Sequence, residues 1–203
     1  MHRLILVLSL AVFLHADGIG DIPLLRWVDP EGSTPGTYEE WLADHPYTPF
    51  YSSLLQVHYG DGRLGSIAIL TEQSLVPSLD DKIERLGLSL TQEGYTVYEY
   101  EVSGGTPETL RTFLAGIRDT NDIEGALFIG NLPVAWFEVY DWGSSLAQFP
   151  MDLYYMDLDG TWLDTMNTGN GKYDGHTGDI NPEIYIGRLM PTGIGVDTVV
   201  LCN

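Results

Sequence analysis

Five aspartates stand in one short stretch of the chain, DLDGTWLDTMNTGNGKYDGHTGD, which covers residues 157–179. Hard divalent cations such as calcium prefer roughly six to eight oxygen ligands from carboxylates and carbonyls. The first two aspartates alternate beside a glycine, so their carboxylates can converge around a turn. The spacing does not match an EF-hand, and the stretch therefore predicts an irregular calcium site. The predicted ligands are Asp157, Asp159, Asp164, Asp174 and Asp179.

Two other interpretations of the acidic stretch remain open. Exposed acidic turns are common in acidic exported proteins, so the stretch can be a solvated loop without an ion. It can also form the wall of a substrate site, for example in a hydrolase that uses Asp157 and Asp174 with a bound metal. The density of like charge favours a counter-ion over both.

Nucleophilic catalysis has weak support in this sequence. The only cysteine is Cys202, and a cysteine peptidase needs its thiolate beside a histidine. A dyad with His176 is conceivable. However, Cys202 is the penultimate residue, so the following backbone that would build an oxyanion hole is lacking. Cys202 is better explained as a small apolar residue. His176 itself can be a metal ligand, a general base or a loop residue with neither role.

An aromatic cluster follows Pro133 and could stack against a sugar or a peptide side chain. Packing against the edge of a sheet is the favoured alternative. The cluster consists of Trp136, Phe137, Tyr140 and Trp142.

Composition and charge exclude several classes of protein. The chain has 203 residues, 44% of them hydrophobic, which is enough for one substantial core. Its net charge of −20 argues against nucleic-acid binding, because phosphate recognition needs a basic surface. The opening MHRLILVLSLAVFLHADG has the pattern of a signal peptide over residues 1–16, with cleavage near Ala16, and predicts an exported protein. No later segment approaches the ~20 apolar residues of a membrane span.

The elements that would position these residues alternate between strands and helices. Residues 17–63 are rich in proline, glycine and aspartate and predict an extended segment, with a short helix over 38–43. From residue 64 the patterns predict β-α-β-α-β, the acidic loop, and one more strand. Such alternation indicates a layered α/β/α fold with a mainly parallel sheet, and ligands then gather beyond the carboxyl ends of its strands.

Three segments together resemble the gingipain-like cysteine peptidases, which have the caspase-like α/β fold. The segments are IEGALFIGNLPVAWFE (123–138), FPMDLYYMDLDGTW (149–162) and GDINPEIYIGRLMPTG (178–193). The resemblance extends over about residues 64–203. It implies a secreted endopeptidase that acts on proteins or peptides and that holds calcium as a structural ion.

In that family the catalytic histidine lies in a His-Gly motif and the cysteine ends the next strand, both after the strand that matches PEIYIGRL. Neither feature is present here, and Cys202 does not match the nucleophile. The resemblance therefore implies that residues 64–203 are the N-terminal part of a peptidase domain, truncated and inactive alone. The alternative is a non-catalytic secreted module that binds calcium on the same scaffold.

Overall fold

The computed structural model describes residues 37–140 and 146–190. The helices are α1 (Tyr38–Asp44), α2 (Val76–Glu93), α3 (Pro107–Asn121) and α4 (Leu153–Met156). The strands are β1 (Tyr51–His58), β2 (Ser66–Glu72), β3 (Thr96–Ser103), β4 (Ile123–Ile129), β5 (Trp136–Tyr140), β6 (Leu146–Pro150), β7 (Thr161–Leu163), β8 (Lys172–Tyr173), β9 (Gly175–Thr177) and β10 (Tyr185–Leu189). The predicted signal peptide, Trp142 and Cys202 lie outside the described residues.

A five-stranded sheet in the order β1-β3-β2-β4-β10 forms the centre of the fold. The four strands β3, β2, β4 and β10 run parallel, and β1 joins the edge antiparallel to β3. The prediction of a mixed α/β fold with a mainly parallel sheet is confirmed for the described residues. Two small sheets, β6-β5-β8 and β7-β9, lie in the part of the chain between β4 and β10.

The two long helices pack against opposite faces of this sheet. Successive residues of β2 point to opposite sides. Leu70 belongs to the apolar cluster that contains Leu110 and Leu114 of α3, whereas Ile69 belongs to the cluster that contains Leu79 of α2. Both faces of the central strands are therefore buried, which is why their sequences are continuous apolar runs.

The ends of both helices follow from local sequence. Thr106 caps α3, since its hydroxyl accepts a hydrogen bond from Thr109 N–H and Pro107 occupies the first turn. Gly94 ends α2 in the left-handed conformation, with φ at 118°. α2 begins at Val76, with Pro77 in its first turn.

The chain reverses its winding direction at β2. From β2 it crosses to β3 on one side, and from β3 it returns over β2 to β4 on the other side. Such a switch point opens a crevice beyond the carboxyl ends of the two neighbouring strands. Here β2 ends at Glu72, and β4 ends before Gly130, whose φ of 95° turns the chain away.

The segment predicted to be extended contains more structure than its sequence indicated. β1 forms part of the main sheet, and α1 packs on the small sheet through an edge contact of Tyr38 and a tilted contact of Trp41 with the ring of Trp136. Nζ of the buried Lys172 lies 2.9 Å from Oε1 of Glu39 and fixes this contact. In the described part of the chain, no helix is long and apolar enough to cross a membrane.

Candidate metal centre and the junction that supports it

Arg188 of β10 joins the three segments that carry the family resemblance. Its guanidinium pairs with the carboxylate of Asp152, at 2.7 Å from Nη2 to Oδ1. It also donates hydrogen bonds to the carbonyl oxygens of Leu132 and Pro133, at 3.2 and 3.3 Å. One side chain thus connects the strand YIGRL, the DLYY helix and the NLP turn after β4.

Two aromatic rings pack against the guanidinium at this junction. The guanidinium of Arg188 lies 4.9 Å from the ring centre of Phe128. The hydroxyl of the fully buried Tyr155 donates to the carbonyl oxygen of Pro133 at 2.7 Å. Burial raises the pKa of Tyr155 well above its ordinary value, so this hydroxyl keeps its proton and stays a donor.

Asp157 follows α4 directly and is completely buried. Its Oδ1 accepts a hydrogen bond from Gly160 N–H at 2.8 Å, and its Oδ2 lies 2.6 Å from Nε2 of His176. Arg111 of α3 donates hydrogen bonds to the carbonyl oxygens of Asp157 and Gly160. These bonds attach the turn to α3. Hydrogen bonds therefore hold this turn independently of any bound ion.

Glu183 follows the acidic stretch in the sequence and contacts this turn. The backbone N–H of Glu183 donates to the carbonyl oxygen of Met156 at 2.9 Å, and its Oε2 accepts from Leu158 N–H at 2.5 Å. Carboxylate oxygens of Asp157, Asp159 and Glu183 all lie within 4.8 Å of one another.

This geometry fits a hard divalent cation. Two ligands on opposite sides of a calcium ion, each at about 2.4 Å, are about 4.8 Å apart, so three oxygens inside that limit can share one ion. Asp157 is buried and fixed, Glu183 is half-buried, and Asp159 is exposed. A cation held there would have one face open to water, with water able to complete its coordination.

Of the five predicted ligands, the structure brings only Asp157 and Asp159 together. Asp164 accepts from Gly169 N–H at 2.9 Å, and Asp179 accepts from Asn181 N–H at 3.1 Å. Asp174 accepts from the hydroxyl and N–H of Thr165. Slight burial would raise the pKa of Asp174, but the hydrogen bonds from Met166 and Thr165 lower it overall. These three carboxylates hold turns of the loop.

Sequence reasoning missed Glu183 as a candidate ligand, although it lies next to the strand that carries the resemblance. Its contribution depends on the parallel pairing of β10 with β4, which returns the end of the acidic stretch to α4. One usable signal was present: Glu183 lies in the segment PEIYIGRL, which carries the resemblance and contains β10.

The remaining candidates have ordinary surroundings. His176 contacts Asp157 and packs against the edge of Trp162, with ring centres 4.7 Å apart. Trp136 packs against α1, and Phe137 packs against Phe149, which agrees with the packing interpretation of these two aromatic residues. Tyr140 is exposed.

Comparison with known proteins does not assign the chain to a family. No family model, no curated protein and no solved structure matches the chain. The functional argument therefore rests on the residues themselves.

Proposed function

We propose that this chain is part of the scaffold of a gingipain-like cysteine endopeptidase with a caspase-like α/β/α fold, whose catalytic histidine and cysteine are supplied by residues outside this sequence. The observation that carries the proposal is the junction at Arg188. The three segments that together resemble the family meet at one side chain, near the carboxyl ends of β4 and β10.

The open edge of the sheet supports the same proposal. Among the described residues, β10 pairs with β4 alone, so its outer backbone groups are available to a further strand. Ligands and catalytic groups of parallel α/β sheets collect beyond the carboxyl ends of the strands. A parallel strand added beside β10 would place its own carboxyl end next to the Arg188 junction.

The chemistry of such an enzyme follows from its two catalytic groups. The histidine takes the thiol proton, and the resulting thiolate attacks the carbonyl carbon of the peptide bond. Backbone N–H groups stabilise the oxyanion, and the histidine returns the proton to the leaving amine. Water then hydrolyses the thioester and regenerates the thiol. The described residues would supply the support for this site.

The coding sequence beyond Asn203 provides the first test. We expect an in-frame continuation with a His-Gly motif at the end of a strand and a later cysteine at the end of another. A continuation without these two features, or a stop codon directly after Asn203, would contradict the peptidase proposal. The second result would favour the non-catalytic module.

A second candidate function, binding of a structural calcium ion, is favoured by the convergence of Asp157, Asp159 and Glu183. This function is compatible with both the peptidase scaffold and the non-catalytic module. Calcium would offset two of the three negative charges of these carboxylates, next to α4 and β10. The ion would have a structural role, since an acidic turn without a disulfide gains stability from a bound cation.

Thermal unfolding of the 203-residue chain, with calcium or with a chelator, tests the ion. At a free calcium concentration of about one hundred times Kd, we expect a stabilisation of about 2.7 kcal/mol. Glu183→Gln should remove most of this effect. Asp179→Asn removes the same charge from an exposed turn and should retain it. An equal transition with calcium and with chelator would remove calcium from the account.

A further inference from the structure

A groove with a volume of about 290 Å³ lies between α3 and the segment that contains α4. This volume is close to the lower end of the range for small-molecule sites. No residue that lines it also lines the crevice at the switch point. One wall consists of α3 residues that recur every three or four positions, and the other of α4 and the turn after it: Glu108, Arg111, Thr112, Ala115, Tyr154 and Leu158.

Arg111 brings a positive charge to this groove. Its Nε and Nη2 donate to the backbone carbonyl oxygens of Asp157 and Gly160 at 2.7 to 3.1 Å. In the part of the chain that the structure describes, the Arg111 guanidinium forms no salt bridge and its Nη1 has no acceptor. A guanidinium that pairs with no carboxylate in a chain of net charge −20 has donors left for an external anion.

Glu108 brings a negative charge to the same groove, three positions before Arg111 on α3. The two side chains do not pair with each other, because each is held by other groups. Burial alone would raise the pKa of Glu108, but hydrogen bonds from Thr106, from Tyr173 and from its own backbone N–H lower it overall. The carboxylate is therefore ionised at neutral pH.

Two stacked tyrosine rings orient the Glu108 carboxylate. The ring centres of Tyr154 and Tyr173 are 4.5 Å apart, and their hydroxyl oxygens are 2.8 Å apart. Burial raises the pKa of both hydroxyls, so both keep their protons. Tyr173 donates to Glu108, and Tyr154 donates to Tyr173. Because a carboxylate has about four lone-pair sites, Glu108 can accept further hydrogen bonds from a ligand.

The rest of the groove is suited to an apolar group. Ala115 contributes only a methyl group, and Leu158 lies opposite it with the ring of Tyr154. The Arg111 guanidinium lies 5.1 Å from the centre of that ring. The hydroxyl of Thr112 donates to the backbone carbonyl oxygen of Glu108 and is therefore not a free donor.

We propose that this groove binds a free α-amino acid in its zwitterionic form. The ligand carboxylate would accept from Arg111, and the ligand ammonium would donate to Glu108. Residues three apart on a helix have Cβ atoms about 5 to 6 Å apart, which suits a ligand whose two charged groups are joined by one carbon atom. An apolar ligand side chain would lie against Ala115 and Leu158. The proposal does not depend on the proposed peptidase function.

Amide NMR titration of the 203-residue chain tests the proposal with three probes of the same carbon skeleton. L-leucine carries both charges, L-leucinamide lacks the carboxylate, and 4-methylpentanoate lacks the ammonium group. We expect L-leucine to shift the signals of Arg111, Ala115 and Leu158. It should bind at least about tenfold more tightly than either of the other probes, as one charge-assisted hydrogen bond would give. General attraction by an acidic chain would instead favour the cationic L-leucinamide.

Two variants test the groove by independent routes. Glu108→Gln keeps an oxygen acceptor for Tyr173 and should weaken L-leucine binding about tenfold. Ala115→Leu fills the groove with a residue of similar helix propensity and should weaken binding at least as much. Asp119→Asn removes a charge from an exposed position near the other end of α3 and should leave binding unchanged.

Four results would overturn the proposal. The first is no shift of these signals with L-leucine at millimolar concentrations. The second is binding of L-leucinamide or 4-methylpentanoate as tight as that of L-leucine. The third is unchanged affinity in a folded Ala115→Leu variant, which would place the ligand elsewhere. The fourth is an equal loss of affinity in Asp119→Asn and Glu108→Gln.

Discussion

Arg188 makes its polar contacts with parts of the chain that lie 36 to 56 positions earlier. A lysine in its place could not reach Asp152 and two carbonyl groups at once, because it lacks the planar set of donors. The aromatic rings of Phe128 and Tyr155 further restrict the guanidinium. At this residue, charge pairing, backbone recognition and stacking all depend on one side chain.

Replacement of Arg188 should therefore be costly. We expect Arg188→Met to lower the free energy of unfolding by roughly 3 kcal/mol, because it leaves Asp152 without its partner and removes the donor to the buried Leu132 carbonyl. Urea unfolding measures this loss. Arg63→Met breaks an exposed pair with Asp61 and should cost less than about 1 kcal/mol. Equal losses in the two variants would show that the junction contributes no particular stability.

A second buried pair, His58 with Glu99, makes stability depend on pH. Nε2 of His58 lies 2.8 Å from Oε1 of Glu99, and both residues are buried beside Gly87 of α2. Burial raises the pKa of Glu99 above its ordinary value of 4.5, and the contact with His58 offsets this only in part. Asp80 and Glu84 on α2 raise it further.

A raised carboxyl pKa means that the folded chain binds the proton more tightly than the unfolded chain. The corresponding stability is fully present below about pH 4.5 and is lost as the pH rises through the folded-state pKa. We expect the free energy of unfolding of the wild type, relative to Glu99→Gln, to fall as the pH rises above 4.5. Urea unfolding at a series of pH values measures the difference. A constant difference, or one that increases with pH, would contradict this cause.

At the scale of elements, local sequence determines where the two long helices begin and end. Gly94 ends α2 with a φ of 118°, a conformation that side chains rarely adopt. A Cβ atom at this position would also lie 3.0 Å from Oδ1 of Asp61. Gly116 is different, since it lies on the exposed side of α3 and a Cβ atom there would meet nothing within 4 Å.

The two glycines predict opposite effects of the same substitution. Gly94→Ala should destabilise the chain by about 1 kcal/mol or more, because it forces a side chain into the left-handed conformation. Gly116→Ala should stabilise it by about 0.5 to 1 kcal/mol, because alanine loses less backbone entropy in a helix. Thermal unfolding measures both, and destabilisation by Gly116→Ala would contradict the described position of α3.

The elements that could be predicted from sequence are those with local sequence signals. α2, α3 and the parallel strands have strong periodic patterns and local caps, so their sequences indicate them directly. β1 has no such pattern: Leu54 and Leu55 are both exposed around an irregularity in its pairing, and the strand depends on β3 for its hydrogen bonds. Glu183 likewise reaches Asp157 only through tertiary structure.

For the whole molecule, the Arg188 junction lies at the carboxyl side of the main sheet. The crevice at the switch point opens on the same side, and it is bordered by the turn after β4 that Arg188 supports. The acidic turn is attached to this region through α4 and Arg111. The proposed metal centre therefore depends on the α/β core.

The central claim, that this core belongs to a cysteine endopeptidase, is tested most directly with the complete product of the gene that encodes the chain. The measurement is hydrolysis of a fluorescently labelled protein before and after treatment with iodoacetamide, which alkylates thiols. The account predicts hydrolysis that iodoacetamide abolishes. Hydrolysis that is unchanged by iodoacetamide, or no hydrolysis by a folded complete product, would contradict it.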